Sequence, residues 1–253
     1  MIGRLLPPLA VLLLAPLVGA ADLPSYAPGT RCACPAAIAR FEVPLPRFAA
    51  LAVAKRKIKI VAIGSSSTQG AGASAPDKAY PARLETILRE RLPGVEIAVV
   101  NRGVGGEEAP QMLARFATEV LPEQPDLVIW QVGSNGALRG RPLGSQDAVV
   151  AEGLTQLRGA GIDVALMNAQ YAPALLAVRR LDDYLARVAD NARRHRAALI
   201  DRYDVMRHWV TSGAMTIADP ITADGLHLND LGYDCLARVL ADALLDAARR
   251  GAG

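Results

Sequence analysis

The sequence predicts an α/β protein, a three-layer α/β/α sandwich around a mostly parallel five-stranded sheet. Short β-branched apolar runs alternate with longer stretches whose apolar positions recur at helical spacing. The strand runs are apolar throughout, as in a sheet covered on both faces. The chain has 253 residues, 51% of them hydrophobic, which suffices for one sizeable core of roughly 200 residues.

The elements follow in order. "KIKIVAIG" (57–64) is the first strand. "YPARLETILRERLPG" (80–94) is a helix, with Pro81 near its start and Pro93-Gly94 as its stop. "VEIAVVNRG" (95–103) is a strand and "APQMLARFATEVLPEQ" (109–124) a helix. "PDLVIWQVG" (125–133) and "IDVALMNAQY" (162–171) are strands flanking the helix "SQDAVVAEGLTQLRGAG" (145–161). A helix over 175–196, a short strand "AALIDRY" (197–203) and a final helix over 228–250 complete the pattern. Each crossover should be right-handed.

Before this domain (55–253) stand two other segments. Residues 1–21 have a short basic n-region at Arg4, an apolar stretch from Leu5 to Val18 and small residues at Val18-Gly19-Ala20. That is the form of a secretory signal peptide. A retained anchor is the alternative, but the run is short for a membrane span and holds prolines. The protein is therefore expected to be exported, periplasmic or secreted, with no stable membrane insertion after signal removal. Residues 22–54 read as a Pro/Ala-rich N-terminal extension. In an oxidising compartment one disulfide among Cys32, Cys34 and Cys235 is compatible with the sequence, which leaves its presence open. Pairing Cys32 or Cys34 with Cys235 would tie the N-terminal segment to the last helix; free or mutually bridged cysteines are the alternative.

The net charge is +3, with 28 basic and 25 acidic residues. No basic stripe suited to nucleic acid appears, and "RRHR" (193–196) reads as a solvated helix end. Histidines stand only at 195, 208 and 227, with no metal-ligand spacing.

In an open parallel sheet, sites form at the carboxyl ends of the strands. There the sequence collects Gly64-Ser65-Ser66-Ser67-Thr68, then Asn101 to Gly106, then Gly133-Ser134-Asn135-Gly136. "ADGLHLND" precedes the last helix. The glycines match neither a P-loop, a dinucleotide fingerprint nor a G-x-S-x-G elbow. They do suit acyl transfer, which needs a hydroxyl, a base, an orienting group and oxyanion donors. A serine ends the first strand. His227 is a base of the type that works near neutral pH. Asp224, three residues before it, can fix its tautomer, with Asp219 and Asp230 as rivals. Backbone N–H groups near Gly106 and the Asn135 amide can face a developing oxyanion. His195 and His208 read as surface residues. Tyr171 either packs in the core or lines a substrate pocket.

These four blocks, in this order, resemble the SGNH (GDSL-like) hydrolase family over most of residues 58–247. The resemblance implies a flavodoxin-like fold and a carboxylic ester hydrolase that needs no cofactor. It matches Gly64 to Thr68 with the family's G-D-S-x-T block, which makes Ser66 the nucleophile and leaves Ser65, Ser67 and Thr68 as loop and cap residues. It assigns the oxyanion donors to the N–H groups of Ser66 and Gly106 and the side chain of Asn135, and the remaining triad members to Asp224 and His227. Ser65 and Gly136 stand where the family carries Asp, so the chain belongs on a divergent branch. The implied substrate is a small-molecule or glycan ester, with O-acetyl groups on carbohydrate first. Longer acyl chains, as for a lipase or lysophospholipase, are the alternative, as is a catalytically weak glycan-binding partner.

Overall fold

The computed structural model describes residues 31–251, so the signal-like segment 1–21 lies outside the described residues. Five strands, β1 (Ile58–Gly64), β2 (Ile97–Gly103), β3 (Leu127–Gln131), β4 (Asp163–Met167) and β5 (Ala198–Ile200), form one sheet in the order β2-β1-β3-β4-β5. Every neighbouring pair is parallel. The α-helices are α1 (Ala36–Ala39), α2 (Pro46–Val53), α3 (Ser66–Gln69), α4 (Tyr80–Arg91), α5 (Ala109–Ala114), α6 (Ser134–Leu138), α7 (Leu143–Gly159), α8 (Pro173–Leu176), α9 (Leu181–Arg194), α10 (Arg202–Thr211) and α11 (Asp230–Arg250).

The strands bury both faces, which is why their sequences show continuous apolar runs. Along β1, Ile58, Ile60 and Ala62 join the core beneath α2, α4, α10 and α11. Val61 and Ile63 join the core formed with α5, α7 and α9. Each fully buried aliphatic side chain of this kind contributes about 1.5–3 kcal/mol relative to exposure. The three layers match the predicted sandwich, and the sheet is parallel throughout.

Several boundaries differ from the sequence reading. The expected helix over 109–124 is regular only to Ala114; a wide turn over Phe116–Val120 and a tight one over Leu121–Glu123 follow. Pro122 has no N–H to donate and cannot continue the ladder. The expected helix over 175–196 is two, separated by Arg180 at φ 66°. Leu175 and Leu181 both enter one small apolar cluster with Ala137 and Ala169. Six residues apart, they would lie on different faces of one straight helix, so the chain turns between them. The strand expected over 162–171 ends at Met167. "DRY" does not extend β5 but starts α10, where Asp201 accepts from the Asp204 N–H at 3.0 Å and caps the helix.

The Pro/Ala-rich segment is built into the domain over its described part. Phe41, Leu45 and Phe48 are buried in the same core as β1 and α11. The Phe48 N–H donates to Asp163 Oδ2 at 2.9 Å. A Cys32–Cys235 disulfide joins this segment to α11, and Cys34 is free. Among the described residues, no helix is long and apolar enough to cross a membrane.

Candidate active site

Parallel register brings the predicted loops together. Gly64 pairs with Gly103 and Ile63 with Trp130, so β1, β2 and β3 end side by side. The order 2-1-3-4-5 reverses direction between β1 and β3, the point where open sheets form their crevice.

The serine run divides by environment. Ser65 is 2%, Ser67 1% and Thr68 0% exposed; Ser66 alone of the four is partly open. Ser65 occupies the cap position of α3 but does not cap it. Its N–H and hydroxyl both donate to Gln131 Oε1 on β3, at 2.8 and 2.9 Å. Thr68 Oγ1 lies 3.4 Å from the same oxygen and 3.3 Å from Tyr80 Oη. Asn101 Nδ2 donates to the Thr68 carbonyl at 2.8 Å, tying α3 to β2. A Cβ on Gly103 would lie 2.1 Å from the Gln69 nitrogen, so only glycine lets α3 pack this close.

His227 reaches Ser66 from the loop before α11. Its Nε2 lies 2.8 Å from Ser66 Oγ, and its Nδ1 2.5 Å from Asp224 Oδ2. The other Asp224 oxygen accepts from Thr222 Oγ1 at 2.6 Å, Leu226 N at 2.9 Å and His227 N at 3.0 Å. Burial raises the pKa of this carboxyl, but the bonds from His227, Thr222 and the two amides outweigh it and hold the group well below the usual carboxylate range. The rival carboxylates are engaged elsewhere. Asp219 accepts from the Thr216 N–H and pairs with Arg31; Asp230 accepts from the N–H and hydroxyl of Ser74. Asn229 caps α11 by accepting from Gly232 N at 3.1 Å, which fixes where the loop must end.

Gly106 and Asn135 face the same crevice edge from β2 and β3. Gly106 has φ +80°, a conformation that favours glycine. Asn135 Nδ2 donates to the Glu107 carbonyl at 2.8 Å. Arg139 Nη1 donates to the Gly106 carbonyl at 2.9 Å and to Glu108 Oε1 at 2.6 Å. The two loops are thereby pinned to each other. Among the described residues, the N–H groups of Ser66 and Gly106 make no hydrogen bond to protein. One of the two Asn135 amide hydrogens is taken by Glu107, which leaves one for a ligand.

Tyr171 packs edge-on against Tyr203, ring centroids 5.3 Å apart, and borders the main core. Its ring is partly exposed. His195 and His208 sit apart from Ser66, at the end of α9 and within α10. Sequence reasoning missed Gln131, Gln170 and Arg202, and gave Asn101, which it placed in a strand-end block, no role. Their signal was a polar residue at or just beyond the carboxyl end of a strand run. Among the described residues, no cluster of three or more His, Cys, Asp or Glu is placed to hold a metal. Cavities of about 270, 320, 340 and 380 Å³ exist, but Ser66, Asn135 and His227 line none of them.

Comparison with known proteins gives the same fold and places the chain among relatives. An arylesterase of Vibrio mimicus is 27% identical over 127 residues, which cover 50% of this chain and 62% of that protein. A two-domain esterase active on acetylated mannans superposes with a TM-score of 0.69 at 20% identity, covering 83% of this chain and 55% of that one. An acetylxylan esterase from Geobacillus stearothermophilus gives 0.62 at 21% identity, covering 74% of this chain and 94% of that one. The chain thus spans less than two thirds of the first two. The model of the non-GDSL lipase-like family matches residues 31–250, nearly the whole described domain. The chain belongs to this family of SGNH-like hydrolases.

Proposed function

We propose that the protein is an exported serine esterase acting on short-chain esters, foremost O-acetyl groups on carbohydrate. The observation that carries the reading is the chain Ser66 Oγ–His227 Nε2 and His227 Nδ1–Asp224 Oδ2, at 2.8 and 2.5 Å. His227 takes the Ser66 proton at Nε2 as Oγ attacks the ester carbonyl carbon. Asp224 accepts from Nδ1, keeps Nε2 free to act as base and stabilises the imidazolium that forms. The oxyanion is held by the N–H groups of Ser66 and Gly106 and the second amide hydrogen of Asn135. The carbon–oxygen bond to the alcohol then breaks, and the alcohol leaves with the proton from His227. Water, deprotonated by His227, attacks the acyl-enzyme; the acid departs and Ser66 regains its proton.

The reading favours a short acyl group on a carbohydrate alcohol. The acetylated glycans named for two structural neighbours fit the same class. The signal-like residues 1–21 and the Cys32–Cys235 bridge support export.

Hydrolysis of p-nitrophenyl acetate tests the reaction. Ser66→Ala is expected to lower kcat by about 10⁶-fold, to background; unchanged turnover sinks the assignment. A series from acetyl to decanoyl esters tests the substrate class. kcat/KM should be highest at acetyl, and a rise toward decanoyl would move the reading to long-chain lipids.

A further inference from the structure

Arg202 is a buried cation without a counter-ion. Among the described residues it is the one charged residue that is 0% exposed, and no carboxylate lies within ion-pair distance of it. Burial pulls its pKa down to about 10, which leaves it charged near neutrality. A charge so placed is costly unless it is paired and fully hydrogen-bonded, and here Nη1 has no partner among the described residues. Nε donates to the Asn168 carbonyl at 3.1 Å, and Nη2 to Gln170 Oε1 at 2.7 Å and Ser134 Oγ at 3.4 Å.

Gln170 is 1% exposed and is shared between two loops. Its Oε1 accepts from Ser134 Oγ at 3.0 Å, at the first residue of α6, beside Asn135. Its Nε2 donates to the Leu226 carbonyl at 3.1 Å. That carbonyl belongs to the peptide whose N–H, on His227, is held by Asp224 at 3.0 Å. One peptide is gripped at both poles, by Asp224 on one side and Gln170 on the other. An amide has two ends, and only one orientation serves. Arginine has donors alone, so it requires the Gln170 oxygen and thereby turns the NH₂ group toward Leu226.

We propose that Arg202 and Gln170 are positioning residues: Arg202 fixes the orientation of the Gln170 amide, and Gln170 holds the His227 peptide and the start of the Asn135 helix in one frame. The proposal rests on the esterase reading above.

Gln170→Glu is the sharpest test, read by p-nitrophenyl acetate kinetics, thermal melting and the rate of Ser66 labelling by a fluorophosphonate. The carboxylate keeps the Arg202 and Ser134 partners but cannot donate to Leu226. The expected result is a Tm at or above wild type, kcat lower by about tenfold with KM within about twofold, and labelling slowed in proportion. A folded Gln170→Glu with wild-type kcat and labelling overturns the proposal, as does a loss of kcat that only tracks a loss of Tm. Should Gln170→Glu fail to fold, Ser134→Ala decides: kcat lower by about threefold at unchanged Tm supports the role, and unchanged kcat overturns it. Ser66→Ala measured alongside separates the two readings. If it retains full activity, the esterase assignment falls and this proposal with it. If it is inactive while Gln170→Glu is fully active, only the positioning role falls.

Discussion

Ser66 stands on a buried frame, whereas His227 stands on a surface turn. The residues around the serine are almost fully enclosed, and Ser65 is tied to Gln131 from a strand 66 positions along the chain. The Asp224 side chain is 48% exposed, and its partners all lie within residues 222–227. Ser66 is therefore placed by the global packing of the sheet, and His227 by a local turn docked on it. Damage to the frame should lower stability and turnover together. Damage to the turn should lower turnover alone.

Asp224→Asn breaks the turn side and carries the largest expected effect. The amide oxygen still accepts from Thr222, Leu226 and His227, so the loop keeps its shape. The NH₂ group then faces Nδ1 and selects the wrong imidazole tautomer. kcat should fall by about 10⁴-fold, with Tm within about 2 °C of wild type. A large drop in Tm would show that the loop is part of the frame after all.

Gln131→Leu breaks the other side. It removes the acceptor for the buried N–H and hydroxyl of Ser65, while Thr68 Oγ1 keeps Tyr80 Oη as a partner. Each orphaned group costs about 1–3 kcal/mol. At about 2–4 °C per kcal/mol for a domain of this size, Tm should fall by on the order of 10 °C, and kcat with it. Loss of kcat at unchanged Tm would erase the contrast between the two settings.

The Cys32–Cys235 bridge sharpens the contrast from behind, because Cys235 lies in the helix that follows the His227 loop. A Cys32→Ser, Cys235→Ser double variant should unfold at lower denaturant, by about 2–5 kcal/mol of stability, with kcat near wild type at 25 °C. If kcat fell as far as stability, the bridge would belong to the site and not only to the fold.

The same contrast explains what the sequence revealed. Asp224 and His227 stand three residues apart, so their partnership was legible from spacing. Ser66 came from a short block beside Gly64. The supports of Ser66 were not legible, because Gln131 and Asn101 act across strands and nothing near them in the chain marks the partner. α10 was hidden differently. Val205, Met206 and Trp209 have helical spacing after the cap Asp201, but the buried Arg202 interrupted an apolar reading and left "DRY" attached to β5. The Pro/Ala composition of residues 22–54 likewise masked Phe41, Leu45 and Phe48, whose burial depends on the distant α11.

The link between the Gly106 loop and α6 lies between the two settings and carries the smallest expected effect. The Glu108 side chain is 5% exposed, while its partners Arg139 and Arg141 are 45% and 52% exposed. Burial raises the Glu108 pKa, but the bonds from Arg141 and Arg139 outweigh it and leave the carboxyl below its ordinary value. The folded protein therefore binds fewer protons at this group than the unfolded chain. Its contribution is present above the unfolded pKa, near 4.3, and is lost as pH falls through the lower folded value. Solvent around the two arginines limits it to about 1 kcal/mol. Glu108→Gln should thus melt a few degrees below wild type at pH 7, and the gap should close as the pH falls below the unfolded carboxyl's ordinary value, near 4.3. A gap that stays constant as the pH falls would mean that the shape of the Glu108 side chain, and not its charge, joins the Gly106 loop to Asn135.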